Sequence, residues 1–306
     1  MRRLLLLISF ILLLSTPSLA EANTVADVLQ VAPLKYEEKL NLGDVKEGTI
    51  DIMNPSSQDE TIQVERSSFR MTNVTGQLEF YQNGDPNSLE KFITFPEDKF
   101  VLPSGTGKKV KFRLGIPIST PTGGYYGAVF FRIVPSETSS DQSRAITSGR
   151  VGTIFLITVG QGDVRQGKIT EFRALSNPFT KKSKFEFEQA NLSKYNSDPR
   201  GLYLKPTGNL VVKNIFGQTK VEQKVAGNYI LPETARKIQS EVDNPYLFGI
   251  YKAELQISKY PGEPVETKTL TFVKFSPIVL IIFGFVVLIL FILFSYLKSF
   301  SKKREK

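Results

Sequence analysis

Two apolar runs bracket this chain and constrain its fold more than any other feature. The first, from Leu4 to Leu14, follows two arginines and precedes Ser18-Leu19-Ala20. A charged start, a short apolar middle and a small-residue exit are typical of a secretory signal, and the run is too short to span a bilayer. Residues 1–22 are therefore predicted to be a signal peptide, cleaved after Ala20 or Ala22.

The second run, residues 275–297, carries no charge and is followed by a basic tail over residues 298–306. About 20 apolar residues, at about 1.5 Å each, cover a hydrocarbon core of about 30 Å. The run is therefore predicted to be a transmembrane helix. Because basic flanks stay in the cytoplasm, we expect the tail inside the cell. The chain is then a single-pass protein of the cytoplasmic membrane, with its N-terminus and ectodomain on the extracellular or wall-facing side.

Composition narrows the range of functions. Of the net charge of +9 over 306 residues, the signal contributes two and the tail four, which leaves +3 for the ectodomain. That balance does not suggest a nucleic-acid partner. The chain has no Cys, His or Trp, which excludes disulfides, the common zinc sites and Ser-His-Asp catalysis. We expect a bacterial exported protein that is not an enzyme and uses no cofactor or metal. A Ser-Lys or carboxylate-pair hydrolase is the last-ranked hypothesis.

Strand signals dominate the ectodomain. Lys109–Leu114 alternates cations with apolar residues, whereas Tyr126–Val134 and Val151–Val159 are apolar enough for buried strands. Helical spacing is rare, and Glu233–Ile238 is one of its two best candidates. Short strands separated by turn residues are typical of antiparallel sandwiches. The predicted fold class is all-β, with two tandem immunoglobulin-like β-sandwich domains.

Three short motifs recur in the same order in both halves. Gly-x-apolar-x-apolar-x-Asn occurs at 48–54 and 208–214, and a Leu-Pro pair begins at 102 and at 231. Gly-x-Tyr-x-Ala-x-apolar occurs at 124–130 and 249–255. Ordered repetition predicts two copies of one topology. Three glycines between 160 and 167 indicate the seam, so the predicted domains are residues 23–162, of wall-binding type, and residues 163–274.

Several runs also resemble a known family. They are Gly-Gly-Tyr-Tyr-Gly-Ala-Val-Phe-Phe at 123–131 and the segments 205–210, 214–217, 230–232 and 247–251. Together they resemble the WxL-interacting protein family of bacterial cell-surface proteins, over nearly the whole chain. The resemblance implies a peptidoglycan-binding first domain and a ligand- or host-binding second domain, working beside proteins with a Trp-x-Leu motif. Val31-Ala32-Pro33 more broadly resembles the start of a pilus-chaperone immunoglobulin-like domain.

Two groups of residues are candidates for ligand contact. Tyr125 and Tyr126 offer an aromatic pair, one facing inward and one free to stack on a sugar or peptide. The alternative is a core tyrosine with a half-buried neighbour. Lys109, Lys111 and Arg113 share one strand face and suit an anionic wall polymer or lipid headgroups. Their alternative is a solvated face that discourages edge pairing.

The predicted function is that of a membrane-anchored extracytoplasmic binding protein. Its partner is expected to be peptidoglycan or an exported surface protein. The alternative is a chaperone-like assembly factor that offers an open strand edge to an exported client. Two sequons, Asn73-Val74-Thr75 and Asn191-Leu192-Ser193, are expected to be unmodified.

Overall fold

The computed structural model describes residues 29–82, 88–134, 150–160, 165–175, 177–195, 197–243 and 247–304. The predicted signal peptide and its cleavage site lie outside these residues. The first sandwich contains, in chain order, β1 (Gln30–Ala32), β2 (Lys35–Leu40), β3 (Val45–Met53), β4 (Glu60–Met71), β5 (Leu78–Tyr81), α1 (Leu89–Phe92), β6 (Ile93–Thr94), β7 (Lys99–Leu102), β8 (Gly107–Gly115), β9 (Gly123–Val134) and β10 (Arg150–Val159). The remaining elements are β11 (Gly167–Ala174), β12 (Lys182–Asn191), β13 (Thr207–Asn214), β14 (Thr219–Ala226), β15 (Ala235–Asp243), β16 (Phe248–Ser258), β17 (Val265–Phe275) and α2 (Pro277–Arg304).

Two sheets face each other in the first sandwich. One has the order β1-β3-β8-β6, and the other has the order β2-β10-β9-β4-β5, with β7 also paired to β4. The pairs are antiparallel except for β10 with β2, which is parallel. Alternate residues point inward, as the period of two requires, into a core that includes Ile50, Phe112, Phe131 and Phe155.

The second sandwich repeats this plan. Its sheets have the orders β11-β12-β15 and β14-β13-β16-β17, and its core includes Phe185, Phe187, Leu210 and Leu255. By position, β12 and β15 match β3 and β8, and β13, β16 and β17 match β4, β9 and β10. The predicted all-β fold with two immunoglobulin-like sandwiches is confirmed. The helical spacing around 233–238 is a wrong indication, because β15 begins at Ala235 and pairs with β12.

A buried asparagine ends each of the matching strands β3 and β12. Asn54 follows β3. Its amide donates to the carbonyl oxygen that ends β7 at 3.1 Å, and its side-chain oxygen accepts from the Ser56 N–H at 3.1 Å. Asn191 ends β12 and makes the same bonds with the Ile230 carbonyl oxygen at 3.0 Å and the Ser193 N–H at 3.2 Å. Asn191, the asparagine of the second sequon, is therefore buried, and its side chain bonds the backbone at the end of β12.

The turn after β4 and after β13 is also shared, with the sequence Asn-x-x-Gly-Gln. The side-chain oxygens of Asn73 and Asn214 each accept two backbone N–H groups of their turn, at 2.9 to 3.1 Å. Gly76 and Gly217 have φ of +90° and +79°, which glycine adopts without a steric penalty. Asn214 thus corresponds to Asn73, and not to Asn54 as the sequence repeat predicts.

A tyrosine near the start of the matching strands β9 and β16 is the third shared feature. The Tyr125 hydroxyl donates to the Pro121 carbonyl oxygen at 2.7 Å, and the Tyr251 hydroxyl donates to that of Phe248 at 3.1 Å. This is the tyrosine corner of immunoglobulin-like sandwiches. Tyr125 is therefore the counterpart of Tyr251. The predicted alignment of Tyr126 with Tyr251 is wrong by one residue, because it aligns a tyrosine on the outer face of one sandwich with a tyrosine in the core of the other.

A third apolar cluster joins the two sandwiches. The outer face of β4, β9 and β10 contributes Phe69 and Tyr126, and loops of the second sandwich contribute Tyr203 and Leu231. The Lys205 ammonium lies 3.1 Å from the Glu37 carboxylate across the same joint.

The helix α2 follows β17 directly. Proline is favoured at the first helical position, since that residue's N–H has no intrahelical partner. Pro277–Ser295 has a mean hydropathy of 3.3 and is long and apolar enough to span a membrane. Its start lies two residues after the predicted start of the span, since Phe275 is still paired in β17.

Candidate binding face on the first sandwich

The candidate site begins where the first strand changes sheets. β1 pairs with β3 only over Asp51–Met53, and beyond Pro33 the chain continues as β2 in the other sheet. Proline cannot continue the pairing because it has no N–H to donate. No strand in the described part of the chain pairs with Val45–Ile50 on the side that β1 leaves. We refer to Val45–Ile50 as the open edge.

The register identifies which backbone groups point into the open edge. At one end of the β3–β8 ladder, the Asn54 N–H donates to the Thr106 carbonyl oxygen at 2.9 Å. Hydrogen-bonded pairs alternate along an antiparallel ladder, so the even-numbered residues of β3 bond to β8. The N–H and C=O groups of Val45, Glu47 and Thr49 therefore point away from β8. A row of unpaired strand backbone is a template for another chain.

The predicted cations lie on the face beside this edge. Lys109, Lys111 and Arg113 alternate along the exposed side of β8. The Lys109 ammonium lies 3.1 Å from both oxygens of Asp51, and Arg113 is directly opposite Glu47 in the ladder. Lys111 is opposite a threonine. The face therefore carries charges of both signs and is not a purely cationic stripe.

Two grooves cross the same face. One, of about 550 Å³, is lined by β3, β8 and Thr94–Pro96, and includes Lys111 and Arg113. The other, of about 420 Å³, is lined by β1, β3 and Gly107–Lys109. The sheet face next to the open edge can therefore receive side chains from a segment bound along that edge.

Tyr125 and Tyr126 lie elsewhere and are both buried. Tyr125 belongs to the core of the first sandwich, and Tyr126 belongs to the joint, where its hydroxyl donates to the Gly201 carbonyl oxygen at 2.9 Å. With the sandwiches packed in this way, neither ring reaches the surface. The structure therefore does not bring the tyrosine pair together with the three cations.

The glycines before the tyrosines also belong to the joint. A Cβ at Gly123, whose φ is +119°, would lie 2.0 Å from the Arg200 carbonyl oxygen. A Cβ at Gly124 would lie 2.4 Å from that of Gly201. Only glycine permits this approach, so packing between the domains explains both glycines and Tyr126, whereas Tyr125 belongs to the core of the first sandwich.

Sequence reasoning expected an open strand edge but did not locate it on β3. The alternation within β3 predicts a strand but does not say how many neighbours the strand has. Alternation reports which side chains face the core, and that pattern is the same whether or not the backbone at the strand's edge is paired. The usable signal was Pro33, which interrupts the first strand. Among the described residues, no three Asp, Glu, His or Cys side chains converge as a metal site would require. The absence of a cofactor and of enzymatic activity stays a prediction.

No family model matches the chain, and no curated protein matches it in sequence. The predicted membership in the WxL-interacting family therefore stays a prediction. Among solved structures, the chain is similar to the class 5 fimbriae chaperone CfaA, at 13% identity and a TM-score of 0.39, over 81% of this chain and 99% of that one. It is also similar to the E. coli chaperone DraB, at 12% identity and a TM-score of 0.35, over 81% and 97%. The CsuC-CsuE chaperone and tip-subunit complex of Acinetobacter baumannii gives 11% identity and a TM-score of 0.35, over 81% and 99%. At these values the similarities assign no function, and the fold assignment depends on the strand order described above.

Proposed function

We propose that this protein is a membrane-anchored binding protein of the bacterial cell surface. Its first sandwich binds an extended segment of an exported protein along the open edge. The unpaired backbone of Val45, Glu47 and Thr49, beside the groove that β3 and β8 line, carries the proposal. In strand addition, backbone bonds supply affinity while pockets for alternate side chains supply specificity. Such a mode needs no catalytic group.

The anchor in this proposal is α2. Its apolar part, Pro277–Ser295, is long enough to cross the membrane. The basic residues after it favour a cytoplasmic C-terminus, and the predicted signal places both sandwiches outside. The open edge then faces the compartment in which exported proteins fold and assemble.

Peptidoglycan is the weaker partner candidate. A polyanionic or strongly acidic ligand would favour a face whose cations lack acidic partners. Here Lys109 is paired with Asp51, and Arg113 is opposite Glu47. The mixed charge suits a peptide segment better than a uniform polymer.

A chaperone-like role is the second candidate, and a second unpaired edge favours it. β10 pairs with β2 only from Ile154 onward, so Arg150–Thr153 has a strand neighbour on one side only among the described residues. Two edges would let a client strand be held and exchanged. A receptor would retain its partner, whereas a chaperone would release the client once that client folds.

The test is site-specific cross-linking of the full-length protein in its own membrane. A photoreactive side chain at Lys111, beside the open edge, should capture one exported protein, whereas the same group at the exposed Val101 of β7 should not. Thr49→Pro removes an outward N–H and should abolish the adduct. Thr49→Val keeps the N–H and should preserve it.

The proposal fails if the Lys111 adduct is absent, or if it survives Thr49→Pro unchanged. Purified wall sacculi could instead retain the full-length protein. If they retain it equally well with and without Thr49→Pro, the wall polymer is favoured as the partner. A chase experiment separates the two protein-binding roles, since a chaperone adduct declines as the client matures.

A further inference from the structure

The end of the second sandwich nearest α2 displays large apolar side chains that stay about half exposed or more. They are Phe179, Ile215, Phe216, Phe248 and Ile250, with exposed fractions of 56%, 70%, 81%, 46% and 54%. We refer to these five residues as the apolar collar. Outside α2, the exposed phenylalanines of the described chain all belong to it. The exposed large apolar residues of the described first sandwich include no phenylalanine.

Strand registers place the collar at one end of the molecule. Phe248 pairs with Phe275, the last residue of β17, and Asn214, just before Ile215 and Phe216, pairs with Tyr251. The loop with Phe179 reaches the same end. All of these segments therefore surround the point at which the chain leaves the sandwich and enters α2.

Ring contacts connect the collar to the base of the helix. The Phe275 ring is stacked on Phe179 and meets Phe248 edge-on, with centroids 5.5 Å apart in both cases. The Phe275 N–H donates to the Pro178 carbonyl oxygen at 2.9 Å, and the Ser276 N–H donates to that of Leu247 at 3.1 Å. The helix begins at the next residue, so no flexible linker separates the collar from α2.

A buried lysine stiffens this junction. Lys274 is 1% exposed. Its ammonium donates to the Thr180 hydroxyl and to the Lys182 carbonyl oxygen, both at 2.9 Å. These bonds hold the loop that contains Phe179 against the last residues of β17, just before the helix. A buried ammonium is retained only where such partners satisfy it, so the loop position is fixed by Lys274.

The length of the span sets the depth of the collar. Pro277–Ser295 has 19 residues, and at about 1.5 Å per residue it is about 28 Å long. A hydrocarbon core is about 30 Å thick, so Pro277 lies at its boundary. The collar, adjoining Phe275, then falls within the headgroup region, where exposed aromatic and aliphatic side chains are favourable.

From this geometry we propose that the apolar collar inserts into the bilayer interface and holds the second sandwich against the membrane. The proposal depends on the membrane anchorage in the proposed function. It adds that the ectodomain has a fixed orientation and does not swing on a tether. The membrane surface is the partner because the collar is continuous with the residues that enter it.

The first sandwich provides an internal comparison. Its matching turn, Asn73–Gly76, carries a valine and a threonine in place of Ile215 and Phe216. That turn contacts the second sandwich, where the Lys237 N–H donates to the Val74 carbonyl oxygen at 2.9 Å. The turn of the first sandwich thus contacts protein. The matching turn of the second sandwich carries the larger apolar residues, Ile215 and Phe216, and lies where we place the membrane.

The chain has no tryptophan, so one introduced indole is a unique reporter. Phe216→Trp, in the full-length protein reconstituted in phosphatidylcholine vesicles with brominated acyl chains, should show quenched and blue-shifted emission. Val101→Trp, at a site 59% exposed on the first sandwich, is the matched control and should be unaffected. A third variant, Phe248→Trp, repeats the measurement at a second collar position.

The outcomes separate this inference from the anchorage on which it depends. If the protein floats with the vesicles but the indoles at 216 and 248 stay unquenched by bromine, the collar does not insert and the inference is overturned. Shielding of both indoles from acrylamide without bromine quenching would indicate a second copy on the collar, which also overturns it. If the protein does not float with vesicles at all, the anchorage itself is wrong.

Discussion

The second sandwich keeps its first strand whole in one sheet, whereas the first sandwich divides it between two. β11 covers the edge of β12 from Gly167 to Ala174, so that β12 has neighbours on both sides. In the first sandwich β1 covers only the end of β3, and β2 joins β10 in the opposite sheet. Two copies of one plan thus differ at one edge.

This difference shows where function can lie in a repeated fold. The shared features, which are the buried asparagine, the Asn-x-x-Gly-Gln turn and the tyrosine corner, satisfy backbone groups that any such sandwich must satisfy. The features that differ are the open edge of the first copy and the apolar collar of the second. In our two proposals, the first copy binds the partner and the second copy contacts the membrane.

The largest expected effect comes from the shared asparagines. Asn54→Ala and Asn191→Ala each leave several buried backbone groups without a partner. At about 1–3 kcal/mol for each such group, we expect the free energy of unfolding to fall by about 3–5 kcal/mol in either variant. Thermal unfolding followed by circular dichroism measures this.

Asn214→Ala is the control for that experiment. The turn that holds Asn214 is exposed, so loss of the side chain should lower the free energy of unfolding by only about 1 kcal/mol. If Asn54→Ala is neutral while Asn191→Ala is not, the two sandwiches do not share a framework, and the comparison fails at its base.

The joint between the copies is the next target. Tyr126→Ala removes a buried ring and the bond to Gly201, and should destabilise the chain by about 3 kcal/mol. The two sandwiches should then unfold in separate calorimetric transitions. Tyr126→Phe keeps the ring and should cost about 1 kcal/mol without separating the transitions. Separate transitions in the unaltered protein would contradict a rigid joint.

Alkaline pH tests the same joint. Burial raises the pKa of Tyr126 well above its usual value. Burial also raises the pKa of Tyr203, and the neighbouring Tyr260 hydroxyl raises it further. A raised pKa means that folding favours the protonated form. The stability due to these groups is therefore fully present below pH of about 10 and is lost as the pH rises through their folded pKa values. Phenolate absorbance should show a fraction of tyrosines that ionises only on unfolding. Tyr126→Phe should make that fraction smaller.

The smallest effect is expected at the cation face. Lys109→Ala breaks an exposed ion pair with Asp51, which should change the free energy of unfolding by less than about 1 kcal/mol. The same variant should still weaken cross-linking of the exported partner if this face contacts it. A large loss of stability would mean that the pair is structural, and that the face is not free for a partner.

Much of the fold was predictable because its signals are local. The period of two in Lys109–Leu114 predicted the exposed cations of β8, and the uncharged run before the basic tail predicted α2. The two-copy plan was also visible, but two of its three motif alignments were wrong. Gly-x-Tyr-x-Ala occurs in β9 and β16 with opposite facing, and the face of a residue depends on strand pairing, which a short motif does not encode.

The candidate site was predictable only in part. Lys109, Lys111 and Arg113 were found because alternation places them on one face. The acidic residues opposite Lys109 and Arg113 on β3 were not found, since cross-strand neighbours follow from register. The role of Gly123 and Gly124 was missed for the same reason, because Arg200, which approaches them, is distant in the chain.

Amide hydrogen exchange, resolved to single residues, tests the central claim most directly. In the free full-length protein, the amides of Val45, Glu47 and Thr49 should exchange rapidly, while those of Gly48 and Ile50 stay protected by β8. In the matching strand β12, successive amides from Phe185 to Ala190 should all be protected, because that part of the strand is paired with both β11 and β15. Uniform protection along Val45–Ile50 would contradict the account, since it would mean that the first sandwich has no open edge to offer.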